Sequence, residues 1–250
     1  MCGCLVLVDD IFQCGFLCRF GWQRGEPCEL LGPAGLVASV GASCYEYPVT
    51  IIAWQAWVDI GLRGDERLRA VLTVRLNDVA TRVLGPTGGY VGVPPAELAP
   101  GLRELVGEGV IRSGEVLLFA GYSGWAGQPP GTSPDLTGWE CFVSSFHLDD
   151  VVPVEIGSLD DGEPVISEED QVLMLRHGLG FAVEISRLVS ELSEPVAVRC
   201  IVGANSTNGT FRFHRARRGE SWLDADLDAY SREKLIVVDS GPSSLGGTPW

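Results

Sequence analysis

The sequence predicts an α+β protein with a mixed, mostly antiparallel sheet and a few helices packed on one face. Three observations lead to this expectation. The chain has 250 residues, of which 46% are apolar, and this is enough for a sizeable buried core. Its second half contains one clear amphipathic helix and two runs that predict a β-hairpin. Strand-like and helix-like segments follow each other there in the order β-α-α-β-β-α-β, which is typical of a sheet covered by helices on one side.

The first hundred residues predict mainly strands. Runs of β-branched and other apolar residues indicate three of them, at Leu5–Val8, Leu36–Val40 and Val49–Ile60. The segment Glu66–Leu84 is ambiguous between a helix and a strand. Its leucines and valines fit helical spacing, while AVLTVRL within it fits a strand. Pro95–Val106 predicts a short helix, whose start is delayed by the proline in the middle of the segment.

The centre of the chain predicts further strands and a change of character. We expect strands at Glu115–Gly121, Glu140–Phe146 and Val151–Ile156, again from apolar and β-branched runs. Composition changes near residue 150, where a region rich in Cys, Gly and Trp gives way to a more acidic and more regular pattern. The predicted organisation is therefore a β-containing region 1–150, an acidic α+β domain 151–240 and a flexible tail 241–250.

Two helices are expected in the second half. Ser167 precedes Asp170 by three residues, a capping-box spacing that places a serine oxygen and acidic groups at the start of a helix. This helix is expected to run to about Arg176 and to stop at Gly178. A second helix, Phe181–Leu192, has its apolar residues on one face and is followed by a proline.

A hairpin and a last strand complete the predicted sheet. The runs Pro195–Val202 and Thr210–His214 flank GANSTNG, whose Asn208-Gly209 pair favours a tight turn with positive φ. The stretch SWLDADLDAYSREK then supplies the third helix of the predicted order, and Leu235–Asp239 the final strand.

Charge and hydropathy disfavour some classes of function. The formal net charge of −15 disfavours binding to nucleic acid, because phosphate recognition needs a basic surface, and it favours basic proteins as partners. No apolar run reaches the length needed to span a membrane, and the N-terminal segment lacks the basic start of a secretory signal. We therefore expect a cytoplasmic protein with no membrane span, and the oligomeric state is left open.

Eight cysteines are present, six of them within the first 44 residues. In the cytoplasm they are expected to be reduced thiols and not a disulfide framework. Structural zinc sites usually have two residues between paired cysteines, whereas Cys2–Cys4 and Cys14–Cys18 have one and three. We therefore expect neither a metal nor any other cofactor, and buried apolar cysteines are the simpler interpretation.

The start of the chain offers an enzymatic alternative. Met1-Cys2-Gly3 resembles the N-terminus of class II glutamine amidotransferases, and Arg24-Gly25 lies at about the spacing of a second segment of that family. The resemblance implies a hydrolase in which Cys2 is the nucleophile and its own amine the base. Gln23 occupies the position at which the family has histidine, and later family segments find no match. No catalytic residue is therefore assigned, and an amidotransferase-like hydrolase stays the alternative.

The strongest functional signal is acidic clustering. Nine acids and no Lys or Arg lie between Asp149 and Asp170, and four more acids flank a tryptophan further on. This pattern predicts a docking face for a basic protein such as a toxin, with aromatic anchors. The expected function is a non-catalytic acidic binding module, in the manner of an immunity protein or inhibitor. The partner-binding residues are expected to be Asp160, Asp161, Glu163, Trp222, Asp224, Asp226, Asp228 and Tyr230.

A cluster of basic residues is the remaining candidate. Arg212, Arg215, Arg217 and Arg218 surround His214 in the segment RFHRARR. Such a group either holds an anion or pairs with nearby acids.

Overall fold

The structure is a computed structural model. It describes the backbone of strands Leu17–Cys18, Cys28–Leu31, Val37–Val40 and Trp54–Asp59, and residues 69–85, 92–125 and 135–242. The predicted strand at Leu5–Val8 and the last eight residues of the predicted tail lie outside this part of the chain.

A six-stranded sheet forms the framework. In spatial order it contains β4 (Trp54–Asp59), β5 (Arg69–Leu76), β13 (Lys234–Pro242), β11 (Val198–Ala204), β12 (Gly209–Arg215) and β8 (Phe146–His147). Every neighbouring pair in it is antiparallel. The α+β class is thus confirmed, and strands from both sides of residue 150 build one sheet.

Three smaller sheets accompany it in the described residues. They are formed by β1 (Leu17–Cys18), β2 (Cys28–Leu31) and β3 (Val37–Val40), by β6 (Val110–Ser113) and β7 (Val116–Phe119), and by β9 (Ile156–Ser158) and β10 (Pro164–Ile166). The helices are α1 (Asp78–Leu84), α2 (Pro100–Glu108), α3 (Leu136–Val143) and α4 (Glu168–Ser190), together with short 3₁₀ turns. None of the described helices is both long enough and apolar enough to cross a membrane.

The main core lies between α4 and one face of the sheet. Phe181 of α4 packs edge-on against Phe211 of β12, with ring centroids 4.7 Å apart, and Phe119 packs edge-on against Phe213 at 4.9 Å. Cys200 of β11 is buried in the same cluster.

Along β12 the core residues Phe211 and Phe213 alternate with Arg212 and His214, because successive side chains of a strand point to opposite faces. The predicted β11–β12 hairpin is confirmed, but its turn is the four-residue loop 205–208 and not a tight turn at Asn208-Gly209. Gly209 is the first residue of β12 and does not have a positive φ.

The ambiguous segment 66–84 contains both predicted structures. Its first part is β5 and its second part is α1, and Asn77 separates them. The Asn77 side chain accepts a hydrogen bond from Ala80 N at 2.9 Å, which caps the helix, and another from Leu235 N at 3.0 Å. One polar side chain therefore ends the strand, begins the helix and fixes both to β13.

Two predicted strands are wrong. The segment Glu140–Phe146 is mostly α3, because the Asp135 side chain accepts from Gly138 N at 2.6 Å and starts a helix there. The segment Val151–Ile156 forms irregular turns, and strand β9 starts only at its last residue. The backbone N–H groups of Val151 and Val152 donate to Leu148 O. The next residue, Pro153, has no N–H to donate to a neighbouring strand.

The two predicted helices at Ser167–Arg176 and Phe181–Leu192 are one helix, α4. The predicted cap is confirmed, since Ser167 Oγ accepts from Asp170 N at 3.1 Å. Gly178 does not end the helix but allows a close approach: a Cβ there would lie 2.4 Å from Val202 Cγ1. The predicted third helix is only a 3₁₀ turn, Leu227–Ala229.

Candidate functional site

The first predicted acidic group lies on an exposed hairpin. Strands β9 and β10 are joined by a turn in which Leu159 N donates to Glu163 O at 2.8 Å and Gly162 adopts φ of 86°. Asp160, Asp161 and Glu163 are all exposed on this turn. Within the described residues none of the three forms a salt bridge. Their negative charges therefore remain uncompensated by this part of the chain.

The second predicted acidic group forms a ladder of side chain to backbone hydrogen bonds. Asp224 Oδ1 accepts from Asp226 N and Asp226 Oδ1 from Asp228 N, both at 3.1 Å. Asp228 Oδ1 accepts from Asp78 N at 2.6 Å. Local bonds of this kind compete with helix formation, which explains why the stretch is not a helix. The first two carboxylates are exposed, and the third is partly buried at the start of α1.

The fold brings the two acidic groups to the same end of the sheet. Ala204, Gly209 and Lys234 are neighbours at that end, next to the turn that joins β11 to β12. Ile166 of β10 donates from its backbone N to Ser206 O of this turn at 2.7 Å, which attaches the acidic hairpin. The aspartate ladder ends at Asp228, which is separated by five residues from the start of β13 at Lys234, and Asp228 also contacts the start of α1. We call this region the acidic end: Asp160, Asp161, Glu163, Asp224, Asp226, Asp228 and the first-turn acids of α4, Glu168, Glu169 and Asp170.

The two predicted aromatic anchors also have contacts inside the protein. Trp222 is 41% exposed, and the guanidinium of Arg212 lies 5.1 Å from the centre of one of its rings. The Tyr230 hydroxyl accepts from Asp224 N at 2.9 Å and so supports the aspartate ladder. Trp222 stands over the face of the sheet opposite α4, since Arg212 alternates with the core residues Phe211 and Phe213.

Two of the four arginines of the cluster pair with acids. Arg215 forms a salt bridge with exposed Glu115, and Arg217 forms one with buried Glu140. Pairing with acids was one of the two sequence interpretations of this cluster. The geometry of the Arg217–Glu140 pair could not be read from the sequence, because 76 residues lie between the two side chains.

Glu140 joins three elements of the fold. Its two carboxylate oxygens accept from Leu117 N of β7 at 2.7 Å, from Arg215 N of β12 at 2.9 Å and from both terminal nitrogens of Arg217 at 2.7 Å. The side chain is completely buried. Burial raises the pKa of Glu140, while Arg217 and the two backbone N–H groups oppose that rise. The arrangement is a structural tie and leaves the carboxylate no free position for a substrate.

His214 is buried beside this network on the opposite face of the sheet from α4. Its Nδ1 lies 2.8 Å from Arg215 O, so Nδ1 carries the proton of the neutral ring. Its Nε2 has no hydrogen-bond partner among the described residues. Burial lowers the pKa of His214 from 6.5 to about 4, and the charges of Arg199 and Arg217 add to the effect.

We expect His214 to make the fold sensitive to acid. The unfolded chain binds a proton at this histidine below pH 6.5, whereas the folded protein binds it only near pH 4. Stability is therefore fully present above pH 6.5 and falls by about 3 kcal/mol as the pH drops to 4. His214→Asn, which keeps a donor for the backbone carbonyl but does not titrate, should lack this loss. Urea unfolding of both proteins across this pH range measures it, and parallel stability curves would contradict it.

Two cysteines have described side chains, and both are buried thiols with little tendency to ionise. Cys141 and Cys200 are free thiols buried in the protein, and burial raises the pKa of Cys141 to about 12 and that of Cys200 further. The described residues contain no group of three His, Cys, Asp or Glu side chains placed to hold a metal ion. Cys2, Gln23, Arg24 and Gly25, which carry the amidotransferase resemblance, lie outside the described part of the chain.

Sequence reasoning missed an exposed row of aromatic rings. Trp139 of α3 is 5% exposed and contacts two exposed rings, Trp125 and Phe142, at centroid distances of 6.1 and 6.0 Å. Trp125 is 56% exposed and Phe142 67%. Helical spacing in Leu136–Val143 was the signal that could have found the row, and assigning this segment to a strand obscured it.

These features define an α+β protein built on a six-stranded antiparallel sheet, with an acidic end and a separate aromatic surface. A family model described as the Uncharacterized protein PM0498 family matches residues 92–246. This match covers more than half of the chain, so the protein belongs to that family. It includes α4, the Glu140 network, the aromatic row and the acidic end. No curated protein and no solved structure matches the chain.

Proposed function

We propose that this protein is a non-catalytic binding module that captures a basic protein partner through its acidic end. The observation that carries the proposal is the gathering of two sequence-distant acidic groups at one end of the sheet. Asp160, Asp161 and Glu163 project there without a salt bridge to any described residue. Carboxylates on the same surface repel one another, so an opposite charge supplied by a partner lowers their energy.

Exposed apolar groups beside the charges support protein binding over simple solubility. Ile156 and Leu159 on the acidic hairpin are both exposed large aliphatic residues. Interfaces commonly combine a small apolar centre with a charged rim, in which the centre holds the complex and the rim speeds encounter. The acidic hairpin has both components within a few residues. With a net charge of −15, nucleic acid is a poor ligand for the same surface.

The finer proposal is that the partner is a toxin and that this protein is its immunity protein or inhibitor. A folded acidic surface acts on a basic partner by covering it, and this needs no catalytic group. A growth assay tests this proposal. Expression of the captured partner alone should arrest cell growth, and co-expression of this protein should restore it. A partner that is harmless when expressed alone would contradict the inhibitor role and leave the binding role standing.

Charge reversal tests the binding role. The partner is first isolated from the native host with the full chain and identified by mass spectrometry. Changing Asp160, Asp161 and Glu163 to lysine should then slow association with the purified partner about tenfold at low salt, because opposite charges accelerate encounter. Surface plasmon resonance across a salt series measures this rate, and the effect should shrink as salt screens the charges.

A matched control variant separates the effect of where the charges lie from the effect of the total net charge. Glu97, Glu104 and Glu108 are equally exposed acids on or next to α2, and changing them to lysine alters the net charge by the same amount. This variant should associate at nearly the wild-type rate. If both variants slow association equally, only total charge matters and no acidic docking face exists. If neither changes it, the acids serve solubility and the proposed function is wrong.

A further inference from the structure

Strand β9 forms an open edge of the acidic hairpin. Among the described residues, β10 pairs with one side of β9 and no strand pairs with its other side. Every residue from Glu155 to Pro164 is exposed, so this edge faces solvent along its whole length. An open edge presents unpaired backbone donors and acceptors, to which a further strand can bind.

The hydrogen bonds of the hairpin show which backbone groups of β9 are free. Leu159 N donates to Glu163 O at 2.8 Å in the turn. Hydrogen-bonded pairs alternate with non-bonded pairs along an antiparallel ladder, so the next bonded residue of β9 is Gly157. The backbone N–H and C=O groups of Ile156 and Ser158 therefore point away from β10.

The contacts of β10 support this assignment. Ile166, which lies opposite Ile156, donates its N–H to Ser206 O at 2.7 Å, on the side away from β9. Pro164, which lies opposite Ser158, has no N–H to donate. The outer side of β10 is thus bonded to the turn between β11 and β12, whereas no described group bonds to the outer side of β9.

Apolar burial also stops at this edge. Ile156 and Ile166 lie side by side on one face of the hairpin, but Ile166 is 1% exposed and belongs to the main core, while Ile156 is 53% exposed. A strand added beside β9 would place a side chain next to Ile156 and remove its apolar surface from water. Because side chains alternate along a strand, such a partner needs an apolar residue at every second position.

The charges around β9 favour a basic strand. Glu155 precedes β9, and Asp160, Asp161 and Glu163 follow it, all of them exposed. The hairpin itself contains no Lys or Arg. A second copy of this chain would bring its own acids to the same edge, and like charges at close range disfavour that pairing. Basic residues between the apolar ones have the opposite effect.

We propose that β9 binds an extended segment of the basic partner as an additional strand, in which apolar and basic residues alternate. Backbone hydrogen bonds to Ile156 and Ser158 supply affinity, and the alternating side chains supply specificity. This inference rests on the proposed function, because the hairpin is part of the acidic end. It adds the manner in which the partner is held.

Hydrogen exchange tests the backbone bonds directly. The experiment uses the full chain and a synthetic peptide of about ten residues in which valine and lysine alternate. NMR should show that the peptide slows amide exchange most at Ile156 and Ser158, and less at Gly157, whose N–H is already bonded to β10. The same peptide with every backbone nitrogen methylated keeps its charge but has no N–H to donate, and it should leave this exchange unchanged.

Ser158→Pro tests the same edge from the side of the protein. Proline removes an N–H that the hairpin does not use but the added strand does, so peptide affinity should fall at least about tenfold. Ser158→Ala keeps the N–H and should bind as the wild type does. The exchange pattern of the wild type remains decisive if the proline also perturbs the hairpin.

The results separate this inference from the proposed function. If the hairpin charge reversal slows association with the partner but the peptide leaves exchange at Ile156 and Ser158 unchanged, the acids bind the partner and strand addition is wrong. If the peptide slows exchange there but charge reversal has no effect on the partner, strand addition stands and the proposed function fails. Equal binding of a peptide with serine in place of lysine would overturn the choice of a basic strand.

A second copy of the chain is the remaining occupant of this edge. Sedimentation that depends on concentration in the wild type but not in Ser158→Pro would overturn the proposal, since β9 would then join two copies of this protein. Sedimentation as a single species at all concentrations, together with the expected exchange pattern, would support it.

Discussion

Gly180→Ala should destabilise the protein by about 3 kcal/mol or more. Residue 180 lies inside α4, where the chain segment at Val93 crosses it: Val93 N donates to Arg176 O at 3.2 Å. A Cβ on residue 180 would lie 2.2 Å from Val93 O, and Gly92 packs on the same spot. The obstacle is backbone, which cannot move aside as a flexible side chain can. Urea unfolding measures the loss as a lower free energy of unfolding.

Gly107→Ala is the matched control for this substitution. Gly107 is also inside a helix, α2, but it is exposed, and a Cβ there would meet nothing within 4 Å. Alanine has the higher helix propensity, so this change should stabilise the protein by about 0.5–1 kcal/mol. If the two substitutions have effects of the same sign and size, the crossing at Gly180 does not have the packing described here.

Glu140→Gln should cost about 3–5 kcal/mol, because it leaves Arg217 buried without a counter-charge. Glutamine keeps the size of the side chain, so the loss does not come from a cavity. Its amide nitrogen would also face donors, since each carboxylate oxygen accepts one backbone N–H and one arginine nitrogen. Unfolding in urea at neutral pH measures the change.

An exposed ion pair provides the comparison for Glu140. Glu194 accepts from Arg112 at 2.8 Å, but its side chain is 76% exposed, so Glu194→Gln should cost less than about 1 kcal/mol. Glu140→Gln combined with Arg217→Met should be less destabilised than the sum of the single changes, because the second change removes the unpaired charge. Additive losses would mean that the two side chains contribute separately.

Local signals in the sequence were sufficient for several elements. The strand-like runs on both sides of the turn-rich segment GANSTNG predicted the β11–β12 hairpin, because strand and turn signals depend only on neighbouring residues. The Ser167 cap and the last strand were predicted for the same kind of reason. The acidic character of Asp160, Asp161 and Glu163 is likewise a property of the sequence, and partner binding there remains a proposal.

Wrong or incomplete predictions occurred where a distant residue decides the local structure. Gly178 resembles a helix stop, yet α4 continues through it, and the missing side chain lets the helix pack closely against Val202. The run at Glu140 resembles a strand, yet it is helical, and its carboxylate is held by groups from β7 and β12. Helix propensity and periodicity carry no information about either contact.

The sequence by itself determined the α+β class, the main hairpin, the helix cap and the negative charge, since composition and local periodicity express these directly. Only the tertiary structure decided that acids more than 60 residues apart share one end of the sheet, and that Trp125, Trp139 and Phe142 form one surface. The physical reason is that strand pairing and core burial set distances between residues far apart in the chain. Those distances depend on the sum of many weak contacts, and no short stretch of sequence contains that sum.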